Sequence, residues 1–181
     1  MINLYIREHG THNMGWSFDF KADLDNYTSD TQLLDDLFEY TRTCIIENGL
    51  DYDDLMEEWL ITDYEFESDF SMNIDEYTSL SKLVEMNNFL KDMSNIELKL
   101  ITALIGDGFS FEEAYNKVNE DEVLYYEGAL EDWCYEMVEE GLFGEVSEAL
   151  KPFINYKDMA FALGANDGYS EYDDSLSYCA Y

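Results

Sequence analysis

The chain of 181 residues carries 42 Asp and Glu against nine Lys and Arg, which gives a formal net charge of −33. Scattered bases cannot provide the clustered cations that binding to nucleic acid or to an anionic membrane requires, so both are excluded as direct partners. Hydrophobic residues make up 46% of the chain and aromatic residues 16%, which excludes a disordered acidic tail. The composition therefore predicts a folded protein whose partner has a large basic surface.

The N-terminal part predicts a small sheet followed by helices. Residues 2–6 and 16–20 have the pattern of two short strands joined by a glycine-containing turn. From Asp30, taken as the N-cap, apolar residues recur at three- and four-residue steps, which predicts a helix that ends at Gly49. A second short helix is predicted over residues 51–60.

The stretch from Thr43 to Ser81 holds twelve Asp and Glu and no Lys or Arg. At its centre, residues 61–70 read I-T-D-Y-E-F-E-S-D-F, where acids alternate with aromatic residues. In an extended strand the carboxylates would form a row at intervals of about 6.6 Å, with the rings on the other face. A row of like charges opposes folding, so it is either a solvated surface or a ladder of anions that copies a phosphate backbone.

The middle of the chain predicts three helices. Ser79, Ser94 and Ser110 each stand at an N-cap position, and Ser110 with Glu113 has the pattern of a capping box. The apolar residues of these helices are predicted to form one core: Leu80, Leu83, Val84, Phe89, Leu90, Ile96, Leu100, Ile101, Leu104, Phe111 and Ala114.

The C-terminal part again mixes strands and helices. Residues 123–126 predict a strand, residues 129–140 a helix, and residues 168–172 and 176–181 two further strands. Two short helices are predicted on either side of Pro152.

The predicted fold is α+β. Because self-repulsion at this net charge disfavours a compact sphere, we expect an elongated row of small modules. The predicted modules are an N-terminal α+β module (1–73), a central helical bundle (74–117) and a C-terminal α+β module (118–181).

Motifs for catalysis or for a cofactor are absent from the sequence. His9 and His12 form an H-x-x-H pair without the acidic helix motif of zinc enzymes, and no phosphate-binding glycine loop occurs. Cys44, Cys134 and Cys179 fit neither a disulfide framework nor a zinc site. We therefore expect no enzyme activity, no metal and no cofactor. The start lacks the pattern of a signal peptide and no apolar run is long enough for a membrane span, which predicts a cytoplasmic protein.

The amount of charge is compatible with imitation of DNA. Duplex DNA carries one charge per about 1.7 Å of axis, so −33 corresponds to roughly 56 Å, or about 16 base pairs. The surface of a halophilic protein can carry the same total negative charge, but we would not expect it to concentrate its acids in one stretch without bases. The pattern therefore favours imitation and leaves a solvated or metal-binding acidic surface as the alternative.

Two stretches carry a resemblance to a known family. They are I-T-D-Y-E-F-E-S-D-F followed by I-D-E-Y-T-S-L-S-K-L, and the later G-L-F-G-E-V-S-E-A-L-K-P-F-I-N-Y-K-D-M-A-F-A-L. Both resemble the ArdA antirestriction proteins of conjugative elements and phages. The second is similar to that family's antirestriction motif at Leu142, Phe143, Glu145, Val146, Glu148, Leu150, Phe153 and Tyr156. Ser147, Asn155 and the pair Phe161-Ala162 depart from the usual Pro, Asp and Arg-Asp.

The resemblance implies a mimic of bent B-form DNA that occupies the DNA-binding groove of type I restriction-modification enzymes, contacting their specificity and methyltransferase subunits. It also implies a homodimer formed through the C-terminal module. Two chains, each with a net charge of −33, would together carry −66, which is the charge of about 33 base pairs of DNA. The alternative is a DNA mimic directed at another basic target, such as a CRISPR effector or a nucleoid protein.

The expected contact surface consists of acidic side chains that would meet phosphate-binding Lys and Arg of the partner. These acids are Asp35, Asp36, Glu39, Asp53, Asp54, Glu57, Glu58, Asp63, Glu65, Glu67, Asp69, Asp75, Glu76, Glu112, Glu113, Glu131, Asp132, Glu136, Glu139 and Glu140. The apolar motif positions have two open interpretations, a core inside the module or a dimer contact.

Overall fold

The computed structural model describes residues 1–50 and 58–180, and the fold is α+β. Contacts group the chain into two compact units, Met1–Thr102 and Ala103–Tyr181. Each unit contains a three-stranded antiparallel sheet. The division of the chain into three modules stays a prediction.

The sheet of the first unit has its N-terminal strand in the centre. Its strands are β1 (Ile2–Glu8), β2 (Phe20–Asp23) and β3 (Trp59–Phe66), in the order β2-β1-β3. Ile2, Leu4 and Ile6 alternate along β1 and are fully buried. They define the core face of the sheet, because successive residues of a strand point to opposite faces.

The predicted strand over residues 16–20 is wrong except for its last residue. Phe20 lies opposite Ile6 and begins β2. Just before β2, the Arg7 guanidinium donates to both carboxylate oxygens of Asp19, at 3.0 and 2.7 Å. The Asp19 side chain is thus held by Arg7, while the Trp16 backbone N–H donates to the Thr11 carbonyl at 2.9 Å instead of to a strand.

A short helix, α1 (His9–Asn13), stands where a turn was expected. The buried Glu8 carboxylate caps it by accepting from the backbone N–H groups of Gly10 at 2.8 Å and Thr11 at 2.6 Å. These bonds satisfy backbone donors that a helix start leaves unpaired, and they compensate for the burial of a charged group.

The long N-terminal helix is confirmed as α2 (Asp30–Glu47). Its N-cap residue is Ser29, one residue before the predicted cap. Leu33, Leu37 and Ile45 are buried on its inner face. Gly49 follows the helix with φ of 66°, a left-handed conformation that favours glycine and ends the helix.

Residues 51–57 lie outside the described part of the chain, and most of the predicted second helix falls there. Its last two residues, Trp59 and Leu60, belong to β3 instead, where they lie opposite Glu8 and Arg7 of β1. The helix prediction is therefore wrong at these two positions, because pairing with a distant strand overrides the local period.

The three central helices are confirmed as α3 (Leu80–Leu90), α4 (Asn95–Gly106) and α5 (Phe111–Asn119). The capping box of Ser110 and Glu113 is present. Most of the predicted core residues are buried: Leu83, Val84, Leu90, Leu100, Ile101, Leu104 and Ala114. Leu80, Ile96 and Phe111 are half-buried, and Phe89 is exposed, so the prediction is wrong for Phe89.

The second unit has the strand order β4-β6-β5 with two helices packed beside the sheet. Its elements are β4 (Val123–Tyr126), α6 (Leu130–Glu139), α7 (Tyr156–Asn166), β5 (Tyr169–Tyr172) and β6 (Leu176–Ala180). Leu130, Cys134, Met137 and Leu163 form a buried cluster that joins α6 to α7. The predicted strands are confirmed, although Tyr181 lies outside the described residues.

The predicted helix before Pro152 is wrong. Residues 141–150 form two turns joined by an irregular segment, and a 3-10 turn, Lys151–Phe153, contains the proline. Gly141 and Gly144 have φ values of 75° and 93°, which interrupt a right-handed helix. This stretch connects α6 to α7.

Candidate binding surfaces

The acidic strand face of the first sheet consists of Asp63, Glu65 and Glu67, all exposed. Asp63 lies opposite Tyr5 and Glu65 opposite Asn3, on the sheet face that does not carry the β1 core residues. The predicted alternation of exposed acids with inward rings is thus confirmed. Asp63 and Glu65 belong to β3, Glu67 directly follows its last residue, and Asp69, two residues further on, is also exposed.

The aromatic residues of the same stretch pack towards the core. Phe70 is almost fully buried, while Tyr64 and Phe66 are half-buried. The ring of Phe66 meets those of Tyr64 and Phe70 edge to face, with centroids 5.5 and 5.3 Å apart. These edge-to-face contacts stabilise the strand from the side opposite the acids.

A β-bulge at Thr62 sets which side chains of β3 face outward. Ile61 lies opposite Ile6, but Asp63 lies opposite Tyr5, so Thr62 has no partner in β1. In a regular strand Ile61 and Asp63 would share one face. The extra residue puts Ile61 in the core and Asp63 outside.

The acidic strand face has polar neighbours from the other two strands. Lys21 of β2 reaches Glu65 with 3.3 Å between its Nζ and the carboxylate, and lies 5.2 Å from the centre of the Tyr5 ring. Asn3 donates to Glu67 at 2.6 Å. Interactions with Tyr5 and then Glu65 raise the pKa of Lys21. The Thr43–Ser81 stretch has no base of its own, but the sheet brings one to it.

The acids Asp35, Asp36 and Glu39 are exposed on α2. The Tyr27 hydroxyl donates to Asp36 at 3.0 Å. Burial, with this hydrogen bond, raises the pKa of Tyr27 to about 12. The hydrogen bond from Tyr27 therefore holds the Asp36 carboxylate in place on the helix surface.

Other predicted acids of the first unit lie near β3. Ile61 donates its backbone N–H to the carbonyl of Glu76 at 2.9 Å, which brings the exposed pair Asp75 and Glu76 beside the strand. Glu58 is exposed and lies 3.1 Å from His9 Nδ1. Three predicted acids lie outside the described residues: Asp53, Asp54 and Glu57.

The predicted acids of the second unit are exposed on α5 and α6, but several have internal partners. Glu113 serves the capping box, and Glu136 accepts from the Tyr126 hydroxyl at 3.0 Å. The exposed set is Glu112, Glu113, Glu131, Asp132, Glu136, Glu139 and Glu140. Further exposed acids were not among the predicted ones, among them Glu85 and Asp92 in the first unit and Glu120, Asp121 and Glu127 in the second.

Several bases are paired with acids close by. Arg7 pairs with Asp19, Lys21 with Glu65, Lys117 with Glu122, and Lys151 with Glu139 and Glu148. Each of these positive charges is thus balanced locally, which leaves the exposed acids to dominate the field around the chain.

The motif segment, residues 141–156, exposes large apolar side chains. Leu142 is 66% exposed, Phe143 50%, Leu150 60% and Phe153 83%. Phe161 on α7 is 79% exposed. The interpretation of the four motif positions as an internal core is therefore wrong. The other motif residues Glu145 and Glu148 are exposed, and Val146 is half-buried.

Tyr156 anchors the end of the motif segment. Its ring packs edge to face on Tyr135, with centroids 5.3 Å apart. Its hydroxyl oxygen is buried and has no hydrogen-bond partner among the described residues. Burial, followed by the nearby Glu139, raises its pKa.

Within residues 1–50 and 58–180, no cluster of three His, Cys, Asp or Glu side chains is arranged to hold a metal ion. The H-x-x-H pair is engaged with other side chains, His9 with Glu58 and His12 with Arg7. None of the helices in these ranges combines the length and apolar character needed to cross a bilayer.

Comparison with protein families gives one match that spans both surfaces. The model of the family described as Antirestriction protein (ArdA) matches residues 11–178. The chain belongs to the ArdA family. This family consists of inhibitor proteins directed against restriction-modification enzymes, and the matched range contains both the acidic strand face and the motif segment. Comparison with curated proteins found no match.

Proposed function

We propose that this ArdA protein inhibits type I restriction-modification enzymes by placing acidic side chains at the positions where the enzyme binds DNA phosphates. The observation that carries the proposal is the acidic strand face, where a bulge turns Asp63 outward, in line with Glu65 and Glu67. Such a row costs free energy through self-repulsion and has no role in the core. A binding function accounts for it.

The spacing of the acids supports imitation of a phosphate chain. Alternate residues of a strand lie about 6.8 Å apart, and phosphates of one DNA strand advance about 3.4 Å along the axis. Asp35 and Glu39, four residues apart on α2, are separated by about 6 Å along the helix. Each row therefore has a charge spacing of the same order as that of a phosphate chain.

The proposed partner surface is the set of Lys and Arg with which the specificity and methyltransferase subunits bind DNA phosphates. Many weak contacts between exposed charges give fast association that salt weakens. No bond is made or broken in this mechanism. Because the target acts on DNA, the proposed place of action is the cytoplasm of the bacterial host.

We further propose that the protein acts as a homodimer through the motif segment. The segment exposes apolar surface that a groove lined by Lys and Arg would not bury. This surface belongs to Leu142, Phe143, Leu150 and Phe153. A second copy can bury the same patch, and apolar contact is what two chains of −33 need to overcome their repulsion.

Competition for DNA tests the proposal. Purified protein is titrated against a type I enzyme bound to labelled target DNA at several salt concentrations. We expect displacement of the DNA, with an inhibition constant that rises steeply with salt. Failure to displace DNA at low salt would reject the type I target, and capture of a CRISPR effector or a nucleoid protein from extracts would instead support the alternative.

A further inference from the structure

The motif segment is held in place by few contacts. Its backbone hydrogen bonds are mostly local, such as Gly144 to Gly141 at 2.9 Å and Leu150 to Ser147 at 2.8 Å. Leu142 donates to Met137 of α6 at 2.9 Å near the start of the segment. Since its large apolar side chains are exposed, they contribute little burial. A segment of this kind takes its position from the few side-chain contacts that it does make.

Lys151 supplies such a contact. Its side chain is only 14% exposed, and its Nζ lies 2.8 Å from Glu139 of α6 and 2.7 Å from Glu148 of the motif segment. Hydrogen bonds to Glu139 and Glu148 raise the pKa of Lys151, so the ammonium stays charged. The charge-assisted bond to Glu139 joins the segment to α6, and the bond to Glu148 lies within the segment itself.

Bases are scarce in the part of the chain that contains Lys151. Residues 118–181 contain sixteen acids and only two bases, Lys151 and Lys157. Without the Lys151 ammonium, the carboxylates of Glu139 and Glu148 would be close together and would repel each other. Lys157 is exposed and forms no ion pair within the described ranges, so it does not share this position.

We propose that Lys151 is a positioning residue that clamps the motif segment against α6 and thereby holds Leu150 and Phe153 in the arrangement a second copy requires. This inference rests on the proposed homodimer. Leu150 precedes Lys151 in sequence, and Phe153 follows it within the same 3-10 turn. Release of the clamp therefore moves both apolar side chains.

Substitution of Lys151 separates this role from a role of charge alone. Lys151→Gln changes the net charge from −33 to −34, because one positive charge is lost. If affinity depended only on negative charge, the variant would inhibit as well as the wild type or better. The clamp instead predicts weaker dimerisation and weaker inhibition. Lys157→Gln makes the same charge change in the same unit and is the matched control.

The experiment compares wild type, Lys151→Gln, Lys151→Arg and Lys157→Gln. Sedimentation gives the dimer dissociation constant, and hydrogen exchange reports the Leu142 and Leu150 amides, with the β4 and β6 amides as a folding control. For Lys151→Gln we expect roughly tenfold weaker dimerisation and roughly tenfold faster exchange in the motif segment, with β4 and β6 unchanged. Lys151→Arg should restore most of both, and Lys157→Gln should match the wild type.

Two results would overturn the inference in distinguishable ways. If the wild-type protein remained monomeric at micromolar concentrations, the proposed homodimer would be rejected, and with it the proposed role of Lys151. A wild-type dimer that Lys151→Gln leaves intact, with unchanged exchange of the segment, would reject the clamp and leave the dimer standing. Equal losses in Lys157→Gln would assign the effect to repulsion between copies.

Discussion

Neutralising the acidic strand face is the most direct test of DNA imitation. The variant Asp63→Asn, Glu65→Gln, Glu67→Gln keeps side-chain size and changes the net charge from −33 to −30. Exposed ion pairs contribute about 0.2–1 kcal/mol each, so losing three costs about 0.6–3 kcal/mol, or about 3- to 150-fold in the inhibition constant. Glu65 should contribute least, because Lys21 already balances it.

The same variant should fold at least as well as the wild type. Neighbouring carboxylates of the row, about 6.8 Å apart, repel by about 0.6 kcal/mol in water, and 0.1 M salt roughly halves this. Removing the row relieves that repulsion and gives up the exposed contact between Lys21 and Glu65. We expect an unchanged or slightly higher thermal midpoint together with weaker inhibition.

The assay is competition with labelled DNA for a type I enzyme, with thermal unfolding measured in parallel. The matched control is Glu85→Gln, Asp92→Asn, Glu127→Gln, which removes three exposed acids that do not lie in the row. Each single variant of the row should be nearly silent. Equal inhibition by the row variant and the wild type, or an equal loss in the control, would refute the reasoning. A single change that abolished inhibition would indicate a localised site.

Three further predictions follow from individual side chains. Phe153→Ser should weaken dimerisation in sedimentation while circular dichroism stays unchanged, because the ring is 83% exposed; an unaltered dimer would count against the proposed contact. Tyr156→Phe should keep or raise the unfolding midpoint, since it removes a buried hydroxyl without a partner in the described residues, and a clear drop would reveal a missed hydrogen bond. The pKa of Tyr27 is raised from 10.0 to about 12, so the unfolded chain loses this proton first. The raised pKa contributes about 2–3 kcal/mol to the free energy of unfolding below pH 10, and this contribution is lost as the pH rises to about 12. Urea unfolding of Tyr27→Phe should not show this loss.

Local signals predicted α2 to α6 and their ends. The α2 period, the Ser110 capping box and the stop at Gly49 each depend on residues within a few positions, and each is confirmed. One error arose where a distant contact decides the structure. Trp59 and Leu60 join β3 because β1 pairs with them, which their own neighbours in sequence do not reveal.

The candidate surfaces were predictable to different extents. Alternation alone predicted which face of residues 61–70 carries the acids, but it could not predict the bulge at Thr62 or the approach of Lys21, since both depend on strand register. For Phe143 and Phe153, burial in a core and burial against a second chain require the same residue type. Their exposure decides against the core.

The local pairing of bases has a consequence for how such a chain can change over generations. An exposed acid that belongs to a large array can be exchanged, moved by a position or lost with little effect, because its neighbours supply the same field. A base such as Arg7 or Lys151, which holds particular carboxylates, has no such freedom. We therefore expect mutational drift to concentrate among the acids, so that distant relatives align through their few cations and apolar anchors.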